Sequence, residues 1–271
     1  MENNYINSKP VSYRNLITSF RSLNLEETHV IAHASLSSFG LVKGGAESVV
    51  AALTESFAGV VMPTFTYKTM ITPQRGPKDN GITYGSGHEQ NMMAEFYRHD
   101  MPADELMGAI AETLRNHPNA IRSEHPIYSF SGVNANDVIK SQTLDNPFGP
   151  IETLVGMRGW VLLIGVDHTV NTSIHYGEQL VGRKQFIRWA LTPQGILSCP
   201  HWPGCSNGFN QISPFVNSSK RTVKIGLADV QAFPLKDLIA VVKEMIVEDP
   251  DALLCDDNKC ERCMEIRNSI S

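Results

Sequence analysis

Apolar residues three to four apart, Leu16, Ile17, Phe20 and Leu23, predict an amphipathic helix over 12–23, and the apolar run at 28–32 predicts a buried strand behind it. That run breaks at His33-Ala34-Ser35-Leu36-Ser37-Ser38-Phe39-Gly40. Gly44-Gly45 then open a second helix whose Val49, Val50, Leu53 and Phe57 share a face. Val60-Val61-Met62 reads as a strand stopped by Pro63. Leu106, Met107, Ile110 and Leu114 predict one helix over 103–116, with Asp104 and Glu105 near its positive end and Pro118 beyond it. Further on, 160–166 reads as a buried strand and 222–233 as one or two strands. Leu235, Leu238, Ile239, Val242, Met245 and Ile246 mark a late helix started by Pro234. Strands and helices roughly alternate, without internal repeats, so the expected class is α/β, layered around a central mixed sheet.

One stretch does not fit the alternation. Residues 64–102 have little periodicity and much Gly, Pro, Asn and His, which is long for a plain connection and suits an irregular, substrate-side excursion. The expected organisation is one domain over 1–271, carrying this excursion and a Cys-rich tail at 250–271.

Composition narrows the partners. With 271 residues and 42% hydrophobic content the chain can bury a sizeable core. A net charge of -5 without blocks of Lys or Arg leaves no footprint for nucleic acid or anionic lipid, which points to small molecules, cationic ones included. Residues 1–10 are polar, and nothing later approaches the roughly 18 uninterrupted apolar residues that span a bilayer. We therefore expect no membrane association and a cytoplasmic location. The five cysteines all lie in the last third, and in a reducing compartment such clustering speaks for a metal, or for an unmetallated reduced cluster, rather than disulfides. Cys255-x4-Cys260-x2-Cys263 contains the knuckle of structural zinc sites, and Cys205, in the turn Pro203-Gly204-Cys205, is the candidate fourth ligand in competition with Cys199 and His201. A complete thiolate shell would make such a zinc a staple, since no position stays open for substrate.

The chemistry concentrates elsewhere. The apolar run 160–166 empties into Asp167-His168-Thr169-Val170-Asn171-Thr172-Ser173-Ile174-His175-Tyr176-Gly177-Glu178, the kind of segment that presents reactive groups at the carboxyl end of a strand. His175 suits a general base, and Glu178 could orient its ring or hold a substrate ammonium; the alternative is a structural histidine. In Arg122-Ser123-Glu124-His125-Pro126, Pro126 biases His125 towards an extended conformation, and the hydroxyls of Ser123 and Ser129 could bond an amide or a thioester carbonyl. The alternative is a turn with a solvated Arg122. The 35–45 segment offers Ser35, Leu36, Lys43, Gly44 and Gly45 for phosphates at a helix N-terminus, although Gly-Gly before a helix is often only a turn.

Four segments in order, His33-Ala34-Ser35-Leu36 through Gly44-Gly45-Ala46, Val61-Met62-Pro63-Thr64, Arg122 to Pro126 with Ser129-Phe130, and Asn171-Thr172-Ser173-Ile174-His175 with Glu178, resemble the aminoglycoside 3-N-acetyltransferase (antibiotic N-acetyltransferase) family. The resemblance implies that family's fold rather than the common acetyltransferase fold. Gln179-Leu180-Val181-Gly182-Arg183-Lys184 nearly fits the latter's pyrophosphate loop but fails at Lys184. It implies acetyl transfer from acetyl-coenzyme A to an amine of an aminoglycoside, the 3-amino group of the 2-deoxystreptamine ring, and hence antibiotic resistance. In that reading His175, Glu178 and His125 are catalytic, and Ser35, Leu36, Lys43, Gly44, Gly45, Thr64, Ser123 and Ser129 bind the coenzyme. Backbone N–H groups near Ser35 and Leu36 would steady the oxyanion, and Phe65, Tyr67, Asp79, Tyr84, Glu89 and Glu95 would meet a polycationic sugar.

Two features depart from the family pattern: Thr169 stands where members often carry Asp, and the Cys-rich tail is unlike the resistance enzymes. Two other functions stay open at this level. One is a zinc hydrolase with His125, His168 and His175 as ligands and Asp167 or Glu178 as base; the other is a coenzyme-binding relative, either without catalysis or acting on a non-antibiotic amine.

Overall fold

The computed structural model describes residues 9–270, so the polar segment 1–10 lies outside the described residues except for Lys9 and Pro10. The strands are β1 (His29–Ala34), β2 (Gly59–Pro63), β3 (Met70–Ile71), β4 (Ala120–Arg122), β5 (Phe130–Val133), β6 (Trp160–Ile164), β7 (Phe186–Thr192), β8 (Gly195–Trp202), β9 (Arg221–Ile225) and β10 (Ala228–Pro234). The helices are α1 (Tyr13–Arg21), α2 (Gly45–Ser56), α3 (His88–Met93), α4 (Gly108–Arg115), α5 (Asn136–Lys140), α6 (Gly149–Gly156), α7 (Ser173–Leu180), α8 (Leu235–Glu248) and α9 (Glu261–Ile270).

Seven strands form one mixed sheet in the order β4-β5-β2-β1-β6-β10-β9. At its centre β1 runs parallel to both β2 and β6, while the outer pairings are antiparallel. Helices cover both faces, so the central strands must be apolar on both sides, which is why they read as continuous apolar runs. Along β1 and β6 the two-residue period sends Val30, Ala32, Leu162 and Ile164 to one layer, with Leu16, Phe20, Leu53 and Leu114. It sends Ile31, Val161 and Leu163 to the other, with Phe148, Ile151, Leu238 and Val242.

The single helix expected over 103–116 is two elements. Gly108 sits in the left-handed region (φ 80°) and separates a short 3₁₀ turn, Glu105–Met107, from α4. Leu106, its N–H bonded to the Asp104 carboxylate, is consequently 80% exposed instead of sharing the face of Ile110 and Leu114. Region 222–233 resolves into the β9-β10 hairpin, turned at Gly226.

A second, three-stranded sheet, β3-β7-β8, went unpredicted. It takes its outer strand from the 64–102 excursion, which is pinned there by side chains. The Asn80 amide bonds both the N–H and the C=O of Ile187, and the Arg188 guanidinium donates to the carbonyls of Asn80 and Gly81. Among the described residues no helix is long and apolar enough to cross a membrane.

Candidate active site

β6 ends at Gly165, whose left-handed backbone (φ 63°) and contact with Ser38, where a Cβ would lie 1.8 Å from Oγ, leave room only for glycine. The chain then passes through the 3₁₀ turn His168–Val170, capped by the Asp167 carboxylate on the Thr169 N–H, and enters α7. Residues three apart on a helix share a face. His175 Nδ1 and Glu178 Oε2 accordingly meet at 2.7 Å, both side chains buried. The second Glu178 oxygen accepts from Arg183 at 2.9 Å. Arg183 lies beyond the helix and is swung back by a Schellman reversal: Gly182 (φ 74°) and Arg183 donate their N–H groups to the carbonyls of Gln179 and Glu178, each at 3.0 Å. Its Nη2 donates to the Pro250 and Ala252 carbonyls. Phe148 stacks with the His175 ring and Phe209 meets it edge-on.

A carboxylate at Nδ1 keeps the proton on that nitrogen and leaves the lone pair on Nε2. Nε2 makes no hydrogen bond among the described residues, and His175 lines a cavity of about 350 Å³ at the carboxyl ends of β1 and β2. Ala34, Met62, Phe65, Tyr67, Met107 and Val166 make most of its wall apolar, with Thr169, Asn171, Thr172 and Ser206 as neutral polar groups. Among the described residues no carboxylate lines it. His33 is buried in the same wall without a partner for Nε2, and burial, helped by nearby His168, holds its pKa down to about 3. A cavity of this character accepts an uncharged ligand far better than a polycation.

The other sequence candidates separate. His125 does not line this cavity; its Nδ1 accepts from the N–H groups of Ile127 and Tyr128, and burial lowers its pKa to about 4. With that lone pair engaged and its pKa lowered, it is ill suited to accept a proton near neutral pH, and it fastens a turn. The hydroxyls of Thr64, Ser123 and Ser129 are buried and bonded within the protein, those of Thr64 and Ser129 to the Ser129 and Thr64 carbonyls and that of Ser123 to the Phe130 backbone. Arg122, far from being solvated, is buried and donates to the carbonyls of Thr64, His99 and Met101. These four residues weld the excursion to the sheet edge, and none of them lines the cavity that His175 enters.

The Ser35 N–H is committed to the Ile164 carbonyl, which removes it as an oxyanion donor. Lys43 is exposed just ahead of Gly44 and Gly45 (φ 76° and 56°), and among the described residues no side chain caps the N-terminus of α2 that follows. Glu178 is buried, bonds His175 and Arg183 through its two oxygens, and does not line the cavity. Of the acceptor candidates, Phe65 and Tyr67 line the cavity. Asp79 and Glu89 are exposed, Glu95 pairs with Lys68 at 3.6 Å, and Tyr84 packs on Trp189. His125, His168 and His175 do not converge on a point; among the described residues the grouping suited to a metal is Cys205, Cys255, Cys260 and Cys263, whose sulfurs lie within 4.8 Å of one another. Cys199 is buried elsewhere, and His201 bonds Gln185. Arg183, Phe148, Phe209 and His33 were missed by pattern reading; for Arg183 a signal existed, since a glycine just past a helix announces a reversal.

Residues 31–247 match the family described as aminoglycoside 3-N-acetyltransferase. A stretch covering 66% of this chain is 30% identical over 191 residues to aminoglycoside N(3)-acetyltransferase VII of Streptomyces paromomycinus. The match spans 64% of that protein's length, a little under two thirds. In three dimensions the chain is similar to a mutant of the aminoglycoside acetyltransferase AAC(3)-IVa in complex with a gentamicin (TM-score 0.78, 20% identity, 97% of this chain and 99% of that one). It is also similar to AAC-IIIb in a binary complex with CoASH (TM-score 0.71, 20% identity, 89% of this chain and 97% of that one).

Proposed function

The chain belongs to the aminoglycoside 3-N-acetyltransferase family, and we propose that it transfers the acetyl group of acetyl-coenzyme A directly to an amine of an aminoglycoside, the 3-amino group of a 2-deoxystreptamine ring. The observation that carries this reading is a buried His175–Glu178 pair whose free Nε2 belongs to a side chain lining an apolar cavity. Aliphatic amines are mostly protonated near neutral pH, so the ammonium first releases one proton to solvent to expose its lone pair, and the attacking neutral amine must then lose a second to a base within hydrogen-bond reach. His175 Nε2 takes this second proton as the nitrogen bonds to the thioester carbon. The carbon–sulfur bond then breaks, and the imidazolium returns the proton to the departing thiolate. Glu178 holds the ring and offsets the positive charge that it carries between these steps, and Arg183 holds Glu178.

The neutral wall suits the acetyl group and the pantetheine arm. The coenzyme phosphates are assigned to Lys43, Gly44 and Gly45 at the uncapped start of α2, with the Leu36 N–H near the developing oxyanion. The acceptor, a small cationic amino sugar, would approach from the excursion side, where Phe65 and Tyr67 reach the cavity. AAC(3)-IVa with gentamicin and AAC-IIIb with CoASH, named above, support the two ligand classes. A cytoplasmic enzyme conferring antibiotic resistance is consistent with both.

The test is thiol release from acetyl-coenzyme A with a panel of aminoglycosides, and the position of the acetyl group in the product by NMR. His175→Ala should lower kcat by roughly 10²–10⁴-fold. Unchanged thiol release in that variant, or acetylation at another amine, would overturn the base or the regiochemistry respectively.

A further inference from the structure

The tail brings three cysteines to the loop after β8. Cys255, Cys260 and Cys263 converge on Cys205, and all four sulfurs lie within 4.8 Å of one another, Cys255 and Cys263 at 3.4 Å. That is too long for a disulfide, which needs about 2.05 Å. It is close to what a metal demands: four thiolates at about 2.3 Å from one tetrahedral centre stand about 3.8 Å apart. The surroundings fit as well. Three of the cysteines are buried and Cys260 half-buried, the Asn207 N–H donates to Cys205 Sγ, and Arg262 and Arg267 tie the neighbouring backbone at Gly204 and Cys255. Four soft donors able to close around one ion select zinc over the hard divalent cations.

What leaves this cluster along the chain is five residues long and ends at the candidate active site. Between Cys255 and Pro250 the backbone is clamped by Gln211, which bonds the Leu253 N–H and the Leu254 carbonyl, and Leu253 is held in the left-handed region (φ 66°). The segment passes close to Gly208, where a Cβ would lie 2.4 Å from the Leu254 carbonyl oxygen. Its far end presents the Pro250 and Ala252 carbonyls to Arg183, the residue that grips Glu178.

We propose that Cys205, Cys255, Cys260 and Cys263 bind one Zn²⁺, and that the clasp so formed positions the base by holding the Pro250 and Ala252 carbonyls against Arg183. The second half rests on the acetyl-transfer reading above; the first does not. Binding releases the thiol protons as the sulfurs become thiolates, with no change of oxidation state. Arg183 and the clasp are positioning devices and touch no substrate.

Protein purified without chelator should carry one equivalent of zinc by native mass spectrometry and elemental analysis. Cys260→Ser should lose it, and Cys199→Ser should keep it. Metal-free protein after growth with zinc chloride, with all four thiols open to a thiol reagent, overturns the clasp. For the coupling, Arg183→Met should keep the zinc yet lower kcat with little change in KM for acetyl-coenzyme A. Cys260→Ser should do likewise, and the double variant should be no slower than the slower single, because both act on one line of contacts. Losses that multiply overturn the coupling. Stripping zinc from the wild-type protein, with far-UV circular dichroism as the check on folding, covers the case of an unfolded variant. A readout free of activity is the downfield proton resonance of His175 Nδ1, which should move on stripping; a resonance that stays put also overturns the coupling.

Discussion

Arg183 donates to Glu178 over 2.9 Å from beyond the end of the helix that carries Glu178, and both side chains are almost entirely removed from water. A buried pair of this kind contributes little relative to an apolar replacement, but breaking it strands a charge at a cost of about 3–5 kcal/mol. Arg183→Met should therefore destabilise the fold by about that much, and Arg183→Met with Glu178→Gln by distinctly less. Urea unfolding of both variants decides it; equal losses would mean that the pair is not electrostatically coupled.

Three buried histidines set an acid limit. Burial holds the pKa of His125 and His168 down to about 4 and that of His33 to about 3, against an ordinary value of 6.5. Below pH 6.5 the unfolded chain takes up protons that the folded chain refuses, so stability falls as pH drops through the window from 6.5 towards 4. Each histidine adds about 1.4 kcal/mol per pH unit to that slope. Unfolding free energies between pH 6.5 and 5, above the range where the lowered carboxylates Glu112 and Asp167 protonate, should show it. A flat profile there would contradict the assignment of neutral histidines.

His125 yields a separate test of structure against catalysis. An asparagine side chain can accept from backbone N–H groups two and three residues on, as His125 Nδ1 does with Ile127 and Tyr128. His125→Asn should keep kcat and most stability, whereas His125→Ala should lose about 1–3 kcal/mol by leaving two buried donors bare. A large fall in kcat for His125→Asn would restore it to the chemistry.

Helix α7 is seated by a glycine. A Cβ at Gly177 would come within 2.6 Å of Val242 Cγ1 on α8. Gly177→Ala should cost about 1–3 kcal/mol by overpacking and lower kcat by tilting the helix that carries His175. Adding Val242→Ala should recover part of the loss; thermal denaturation of the three variants checks this.

What was legible in the sequence followed one rule: elements whose burial pattern is periodic and local could be read. The apolar run within 160–166 and the helical face from Leu235 to Ile246 gave β6 and α8, and the approach to His175 gave the His175–Glu178 pair, because three residues on a helix suffice to bring them together. The misses have a common cause, distance along the chain. The hairpin β7-β8 is stabilised by Asn80, more than a hundred residues upstream, and its own strand β8 starts with four exposed residues that hide the alternation. Thr64 and Ser129 looked like ligand hydroxyls because nothing local says that each bonds the other's carbonyl across 65 residues. The 103–116 helix was overextended because Gly108 acts through its backbone sign, invisible to hydrophobic periodicity.

The partners of Arg183 differ in their place along the chain, one five residues upstream and two others 67 and 69 residues downstream. During synthesis α7 can form with its histidine and glutamate already adjacent, while the clamp that steadies them does not yet exist. The clamp is thus completed late, only after residues 250–252 have been made and docked.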